Sequence, residues 1–219
     1  MNYTIREANI SDIKFLSKVI IESEKSGTDK IGLANIFNMK EIELQTYLVK
    51  MLEEEIEGCE FSISSYVVTE YKGKPVAAFG GWIEKENEDE QPSSVLKSNL
   101  ISFIFPKDKL IAFKKNYNVL KDIFIEREAH THQIEYVYVD EKHRGNRLAS
   151  LMIEELIRIA KTRNPNVKKS QAQCFESNEA SIRLNEHSGY KKVIRQESQN
   201  PDILRFLPCN VKLMMERNI

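Results

Sequence analysis

The chain has 219 residues, 41% of them hydrophobic and 30% charged, with a formal net charge of -1. That length supports one substantial core, or one domain carrying a large insertion. The near-neutral balance excludes the broad basic field of a general nucleic-acid binder.

Cys59, Cys174 and Cys209 match no CxxC or metal-knuckle spacing and give no disulfide framework. The N-terminus is polar by residue 6, and no apolar run approaches the roughly 18 residues of a membrane span. A reducing cytoplasm is the expected compartment, with no metal and no membrane partner.

Residues 3–8 predict a short strand, with Asn9 or Ser11 as the cap of the helix that follows. In that helix Ile13, Leu16, Val19 and Ile20 fall on one stripe. Residues 26–37 are irregular, and a second amphipathic helix starts near Met39 and stops at Gly58. From Phe61 the period changes to that of two antiparallel strands joined at Lys72-Gly73-Lys74. Adjacent Gly80 and Gly81 point to a bulge or a close backbone approach in the second of them, unless the bulge serves packing alone.

KENEDEQPSS, residues 85–94, reads as a solvated loop. The block after it carries enough Leu, Ile and Phe for one or two helices around Pro106. Residues 85–128 are therefore expected as an insertion in a single domain spanning 1–219. The aromatic residues Phe103, Phe105, Phe113, Tyr117 and Phe124 either cover a pocket or hold the insertion to the core.

The next stretch is the most informative. Residues 134–139, IEYVYV, suit a strand, residues 140–143 break it, and Arg144-Gly145-Asn146-Arg147 forms a basic turn before the helical LASLMIEELIRIA. Backbone N–H groups, a helix N-terminus and two guanidinium groups thus meet beyond one strand end, an arrangement suited to phosphate or pyrophosphate. Beyond it follow a strand near 168–175, a short helix ending at Gly189, and a terminal strand pair. The basic run KTRNPNVKK, residues 161–169, reads as a solvated helix end. The implied class is α/β: a mixed, mainly antiparallel twisted sheet with helices on both faces.

Two segments carry a family resemblance. VDEKHRGNRLASLMI resembles the pyrophosphate loop of the GNAT acyltransferases, with Arg144 opening the pattern, Ala149 closing it, and Arg147 standing where the family has glycine. NEASIRLNEHSGY resembles the later family motif through Asn178, Ser181, Leu184, Gly189 and Tyr190, with Asn185 in the usual place of a tyrosine. The resemblance covers roughly residues 134–190 and implies acetyl-CoA, or another acyl-CoA, as cosubstrate. It also implies an N-acyltransferase acting on a primary amine of a small molecule or protein; the alternative is a non-catalytic acyl-CoA sensor. A homodimer is compatible with it.

In this reading the N–H groups of Gly145, Asn146, Arg147, Leu148 and Ala149 receive the pyrophosphate, and Arg144 adds a charge-assisted bond. The Arg147 side chain either joins it or points to solvent. Val137 and Val139 are assigned to the cofactor from the strand, and Asn178 and Ser181 from the later helix, where Asn178 either binds an amide or caps the helix. Aminolysis needs an uncharged amine, so a base is useful. Taken as a regular strand, Gln133, Glu135, Val137 and Val139 share one face, and the resemblance implies a base there: Glu135, unless the family glutamate falls at Gln133. His130 and His132 are read as structural, and Cys174 as a buried, inert thiol. Asn185 cannot act as a general acid. Either the thiolate leaves unprotonated, or Tyr190 or Tyr136 helps through water, or transfer is inefficient.

Overall fold

The computed structural model describes residues 2–219. In chain order it contains β1 (Tyr3–Glu7), α1 (Ile13–Glu24), α2 (Gly32–Ile36), α3 (Glu41–Glu53), β2 (Tyr66–Tyr71) and β3 (Lys74–Ile83). These are followed by α4 (Ser93–Ile104), α5 (Lys107–Leu120), β4 (His132–Val139), α6 (Leu148–Arg163), β5 (Lys169–Phe175), α7 (Glu179–His187), β6 (Lys191–Glu197) and β7 (Val211–Asn218). Local signals mark some of the boundaries. The Asn9 side chain accepts from the Ser11 N–H while Asp12 accepts from the Asn9 N–H, a capping box just ahead of α1. Lys161 and Arg163 occupy the last turn of α6, where cations oppose the helix dipole.

The strands form one seven-stranded sheet in the order β1-β2-β3-β4-β5-β7-β6, mixed and mainly antiparallel, as expected. Among the described residues only the β4–β5 pair is parallel. The terminal strands are not simply appended, because β7 inserts between β5 and β6. Tyr66, Val68, Ala78 and Tyr136 meet Leu16, Ile20, Leu48 and Leu52 of α1 and α3 on one face. Val67, Phe79, Ile134, Leu213 and Met215 meet Met152, Ile153 and Leu156 of α6 on the other.

Two departures from regularity shape the middle of the sheet. First, β4 and β5 pair only at His132–Ser170, Gln133–Gln171 and Ile134–Ala172, so beyond Ile134 the strands part. Second, the β3–β4 register slips between Ala78 and Gly80, leaving Tyr136 and Val137 opposite Phe79. Tyr136 stands at φ 55°, a left-handed conformation costly for a bulky side chain.

This bulge corrects the expected strand face. One extra residue reverses the alternation, so Glu135 lies on the α1 side with Tyr136 and Tyr138, while Val137 and Val139 pack toward α6. The paired glycines serve both expected purposes. A Cβ on Gly80 would lie 2.9 Å from the Glu135 carbonyl and 3.0 Å from the Tyr66 ring, and one on Gly81 would lie 2.8 Å from His132 Nε2.

Three further differences have simple causes. Helix α2 lies in the stretch read as irregular; five residues are too short to show a period. Residues 63–65 make a single 3-10 turn rather than the start of β2. The 85–128 segment does hold two helices, but its aromatics divide. Phe105 sits 4.9 Å edge-on to Phe37 and Phe113 stacks on Phe37 at 5.1 Å, so both hold the segment to α2. Phe103, Tyr117 and Phe124 face outward.

Gly80→Ala should lower stability by about 1–3 kcal/mol, the usual cost of overpacking, because the nearest obstacle is backbone. Denaturant melts of the two proteins check this, and equal midpoints would remove the close-approach account of Gly80.

Candidate active site

The turn after β4 is built from local bonds. A 3-10 turn, Glu141–His143, is capped by Asp140, whose carboxylate accepts from the Lys142 N–H at 3.1 Å. Arg144 Nε donates to the Val139 carbonyl at 3.1 Å, and Asn146 Nδ2 donates to the His143 carbonyl at 3.0 Å. Gly145 has φ 79° and Arg147 φ 59°. The glycine preferred at position 147 in the resembling pattern thus reflects a left-handed backbone, which Arg147 adopts with its side chain exposed. Among the described residues, the N–H groups of Gly145, Asn146 and Arg147 have no acceptor. The first N–H groups of α6, from Leu148 and Ala149 onward, are free by helix geometry. The Leu148 side chain is buried, so only its backbone is available.

The later motif folds as a capped helix. Asn178 Oδ1 accepts from the Ser181 N–H at 3.1 Å, the cap that sequence offered as one of two readings. Asn185 is buried, and its amide lies 3.5 Å from Ser181 Oγ. Tyr190 is buried on a chain of bonds, 2.6 Å from Ser170 Oγ, which in turn lies 2.8 Å from His132 Nδ1. Burial pushes the Tyr190 hydroxyl up to about 12 and His132 down to about 3, so both belong to the core, as read for His132. Burial also raises the Cys174 thiol.

Where β4 leaves β5, charged side chains collect on the α1 side. Glu135 is ion-paired with Arg127, which sits 5.0 Å over the Trp82 ring. Glu60 is fully buried and binds Lys97 at 2.6 Å, with Arg127 at 3.7 Å. Burial alone would raise the Glu60 carboxyl, but Lys97 and Arg127 outweigh it and hold it well below the ordinary range. Glu24, on the last turn of α1, accepts from the Leu33 N–H at 3.0 Å and the Tyr136 hydroxyl at 3.3 Å. It has no cation within ion-pair distance among the described residues, and burial raises its carboxyl above the usual value. Lys212, from β7, adds its charge to the same cluster.

The segment before β4 places Arg127. Residues 121–131 run beneath the parted strands, held where Gln196 Nε2 donates to the Asp122 carbonyl at 2.6 Å and Gln173 Nε2 to the Ile125 carbonyl at 3.1 Å. The insertion's contribution to the site is thus charge, through Lys97 and Arg127, rather than an aromatic cover. Apart from Glu135, these charged residues were missed in the sequence reading. They come from α1, α4, β7 and two connecting segments, and no local pattern joins them.

The turn, the parted parallel strands and the two motifs now lie in one structure, and a sequence profile of the acetyltransferase (GNAT) family matches residues 36–190. The chain belongs to the GNAT family. No curated protein matches this GNAT chain in sequence. Solved structures share its fold at low identity. One is an N-acetyltransferase from Staphylococcus aureus Mu50, with TM-score 0.65 and 14% identity over 98% of this chain and 100% of that one. Another is a ribosomal-protein-alanine N-acetyltransferase from Brucella melitensis, with TM-score 0.51 and 16% identity over 99% of each chain. A third is an aminoglycoside acetyltransferase in complex with coenzyme A, with TM-score 0.52 and 14% identity over 99% of this chain and 95% of that one. Likeness at this level shows the GNAT fold and leaves the acceptor open. Among the described residues no helix is long and apolar enough to cross a membrane, and no cluster of His, Cys, Asp and Glu could hold a metal ion.

Glu60→Gln should cost about 3 kcal/mol, the low end for breaking a buried pair, because Lys97 keeps some contact with water. The sign of the pH effect follows from the depressed folded carboxyl. Its stabilisation is present above the unfolded value of about 4.3 and is lost as pH falls through the lower folded value. Acid titration of stability should therefore be flatter in the variant; parallel wild-type and variant curves would contradict this account.

Proposed function

We propose that the protein is an N-acyltransferase that moves an acyl group, most simply acetyl, from an acyl-CoA to a primary amine of a small molecule or protein. The observation that carries this reading is the joining of an unpaired N–H turn to parted strands, with Glu24 and Glu135 collected on the α1 side of the sheet beside them. The turn fits a pyrophosphate: the N–H groups from Gly145 to Ala149 lack acceptors in the fold, and a Cβ on Gly145 would meet nothing within 4 Å. Arg144 stands beside it on the Val139 carbonyl, and Arg147 is free to turn toward or away from a phosphate. Backbone from Glu135 to Val139, without a β5 partner, suits the extended arm of the cofactor, and that is the role left to Val137 and Val139. Ser181 and the Asn178 amide nitrogen stand at the head of α7 for the same arm. An acyl-CoA bound there supplies an activated acyl carbonyl.

The chain's own residues then manage the acceptor's proton. Glu135, on the α1 side of the sheet just past the last β4–β5 pair, is the base expected from sequence. A second reading rests on a specific observation: Glu135 is ion-paired with Arg127, whereas Glu24 has no ion-pair partner among the described residues and is raised by burial. A free carboxyl near 4.3 is roughly six units weaker as a base than an alkylamine near 10, so every unit gained recovers about 1.4 kcal/mol of proton transfer. Those two carboxylates favour an enzyme over the non-catalytic sensor. The buried Asn185 leaves the thiolate without a nearby acid, and Tyr190 is committed to Ser170, so the leaving thiolate departs unprotonated.

Gly145→Val should weaken acetyl-CoA binding at least tenfold, because a β-branched residue resists φ 79° and projects into the open side of the turn. Arg147→Ala should cost less. Calorimetric titration reads both, and an unaltered affinity in the valine variant would place the cofactor elsewhere.

The base is tested by Glu135→Gln and Glu24→Gln, assayed by thiol release across pH with product mass as control. Loss of the true base should cut neutral-pH turnover roughly a hundredfold, with partial recovery at high pH as the acceptor deprotonates itself. Wild-type turnover in either variant removes that residue from the mechanism.

A further inference from the structure

Lys212 is the charge in the cluster that the acyl-transfer chemistry does not use. Lys97 is matched by Glu60, and Arg127 by Glu135 and Glu60. Among the described residues the Lys212 side chain makes no hydrogen bond or ion pair, although it is only partly exposed in the middle of the sheet. Its β7 position lies directly across from Phe175 of β5 and beside Gln196 of β6, one strand beyond the β5 edge of the gap that opens past Ile134. Phe175 packs with Ile123, Phe206 and Leu207, and Leu207 lies 3.1 Å from the Cβ position of Gly32, which is 2.9 Å from Glu24. Lys212 therefore projects to the Glu24 side of the sheet, opposite the face covered by α6. Its charge interacts with those of Glu24 and Glu135, yet neither is close enough to pair with it.

Extending the acyltransferase reading, on which this inference rests, we propose that the acceptor is an amine that also carries a carboxylate, and that Lys212 is the residue that binds the carboxylate. The cluster holds Glu24, Glu60 and Glu135 against Lys97, Arg127 and Lys212, so opposite charges balance in number. A zwitterionic acceptor keeps that balance, with its amine toward the unpaired Glu24 and its carboxylate toward the unpaired Lys212. A phosphorylated acceptor does not, since a dianion would set two negative charges against a single free ammonium. An amine without an anionic group would leave Lys212 desolvated and unmatched, which is costly for a charged group. Burial lowers the Lys212 ammonium, and a bound carboxylate would reverse that effect.

The test uses the full-length protein and acetyl-CoA with a panel of α-, β- and ω-amino acids, each assayed beside its own carboxamide. The wild type should favour at least one free acid over its carboxamide by roughly tenfold or more in kcat/KM, the scale of one charge-assisted hydrogen bond. Lys212→Met should abolish that preference through KM while leaving acetyl-CoA affinity and the melting temperature nearly unchanged. Lys212→Arg should retain most of it, and is the informative variant if the methionine protein is unstable. Equal rates on acid and carboxamide in the wild type, or an equal loss on both in Lys212→Met, would overturn the proposal. So would transfer to no amino acid at all by a protein that still binds acetyl-CoA, an outcome that leaves the cofactor reading standing. Absence of acetyl-CoA binding would instead count against the acyltransferase reading itself.

Discussion

The structure depends on one local constraint, the bulge that sets Tyr136 and Val137 against Phe79 in the centre of the sheet. A regular β4 would present Glu135 and Val137 on the same face. The extra residue instead gives α6 its apolar partners in Val137 and Val139 while Glu135 and Tyr136 face α1. A bulky residue at positive φ persists only where its surroundings over-determine it. Here Tyr136 is buried, stacks near Phe61 at 6.1 Å and donates its hydroxyl to Glu24. Gly80, with no side chain, lets the Glu135 carbonyl approach.

The parting of β4 from β5 turns that kink into a cleft. Parallel strands buried on both sides are usually apolar, yet here carboxylates and cations gather on the α1 side where the strands part. Burying such charges singly would be prohibitive, and the molecule meets the cost by matching Glu60 with Lys97 and Arg127 with Glu135. Two helices and the strap 121–131, placed between β3 and β4, deliver both cations. That segment is anchored by Phe105 and Phe113 on Phe37, so its aromatic content serves attachment and its charge serves the site. Glu24, which is hydrogen-bonded to the Leu33 N–H and the Tyr136 hydroxyl, and Lys212 stand apart from this ion pairing.

The turn at the head of α6 shows a different economy. Its donors are backbone groups that any sequence would supply, and side chains only hold the backbone in place: Arg144 on the Val139 carbonyl, Asn146 on the His143 carbonyl, Leu148 in the core. Arg147 demonstrates that glycine is favoured at its position for conformation rather than for space, because a left-handed arginine fits with its side chain outside. A non-glycine residue costs roughly 1–2 kcal/mol in that conformation, which the burial of Leu148 next to it offsets.

By itself the sequence determined whatever is encoded by neighbours along the chain. The strand, turn and helix around residues 134–163, the cap at Asn178, the hairpin at Gly73 and the paired glycines were legible because period, capping and turn chemistry act over a few residues. The family followed from the same stretch, since the two motifs are themselves local. Tertiary structure alone decided the rest. The insertion of β7 between β5 and β6 depends on which edge offers the better long-range partner. The reversal of faces at Tyr136 arises from pairing with β3, and an alternating pattern such as IEYVYV reads the same with or without it. The charged cleft draws Glu24, Glu60, Lys97, Arg127, Glu135 and Lys212 from separate elements. Electrostatic matching acts through space, so these residues acquire their roles only once the fold has brought them together.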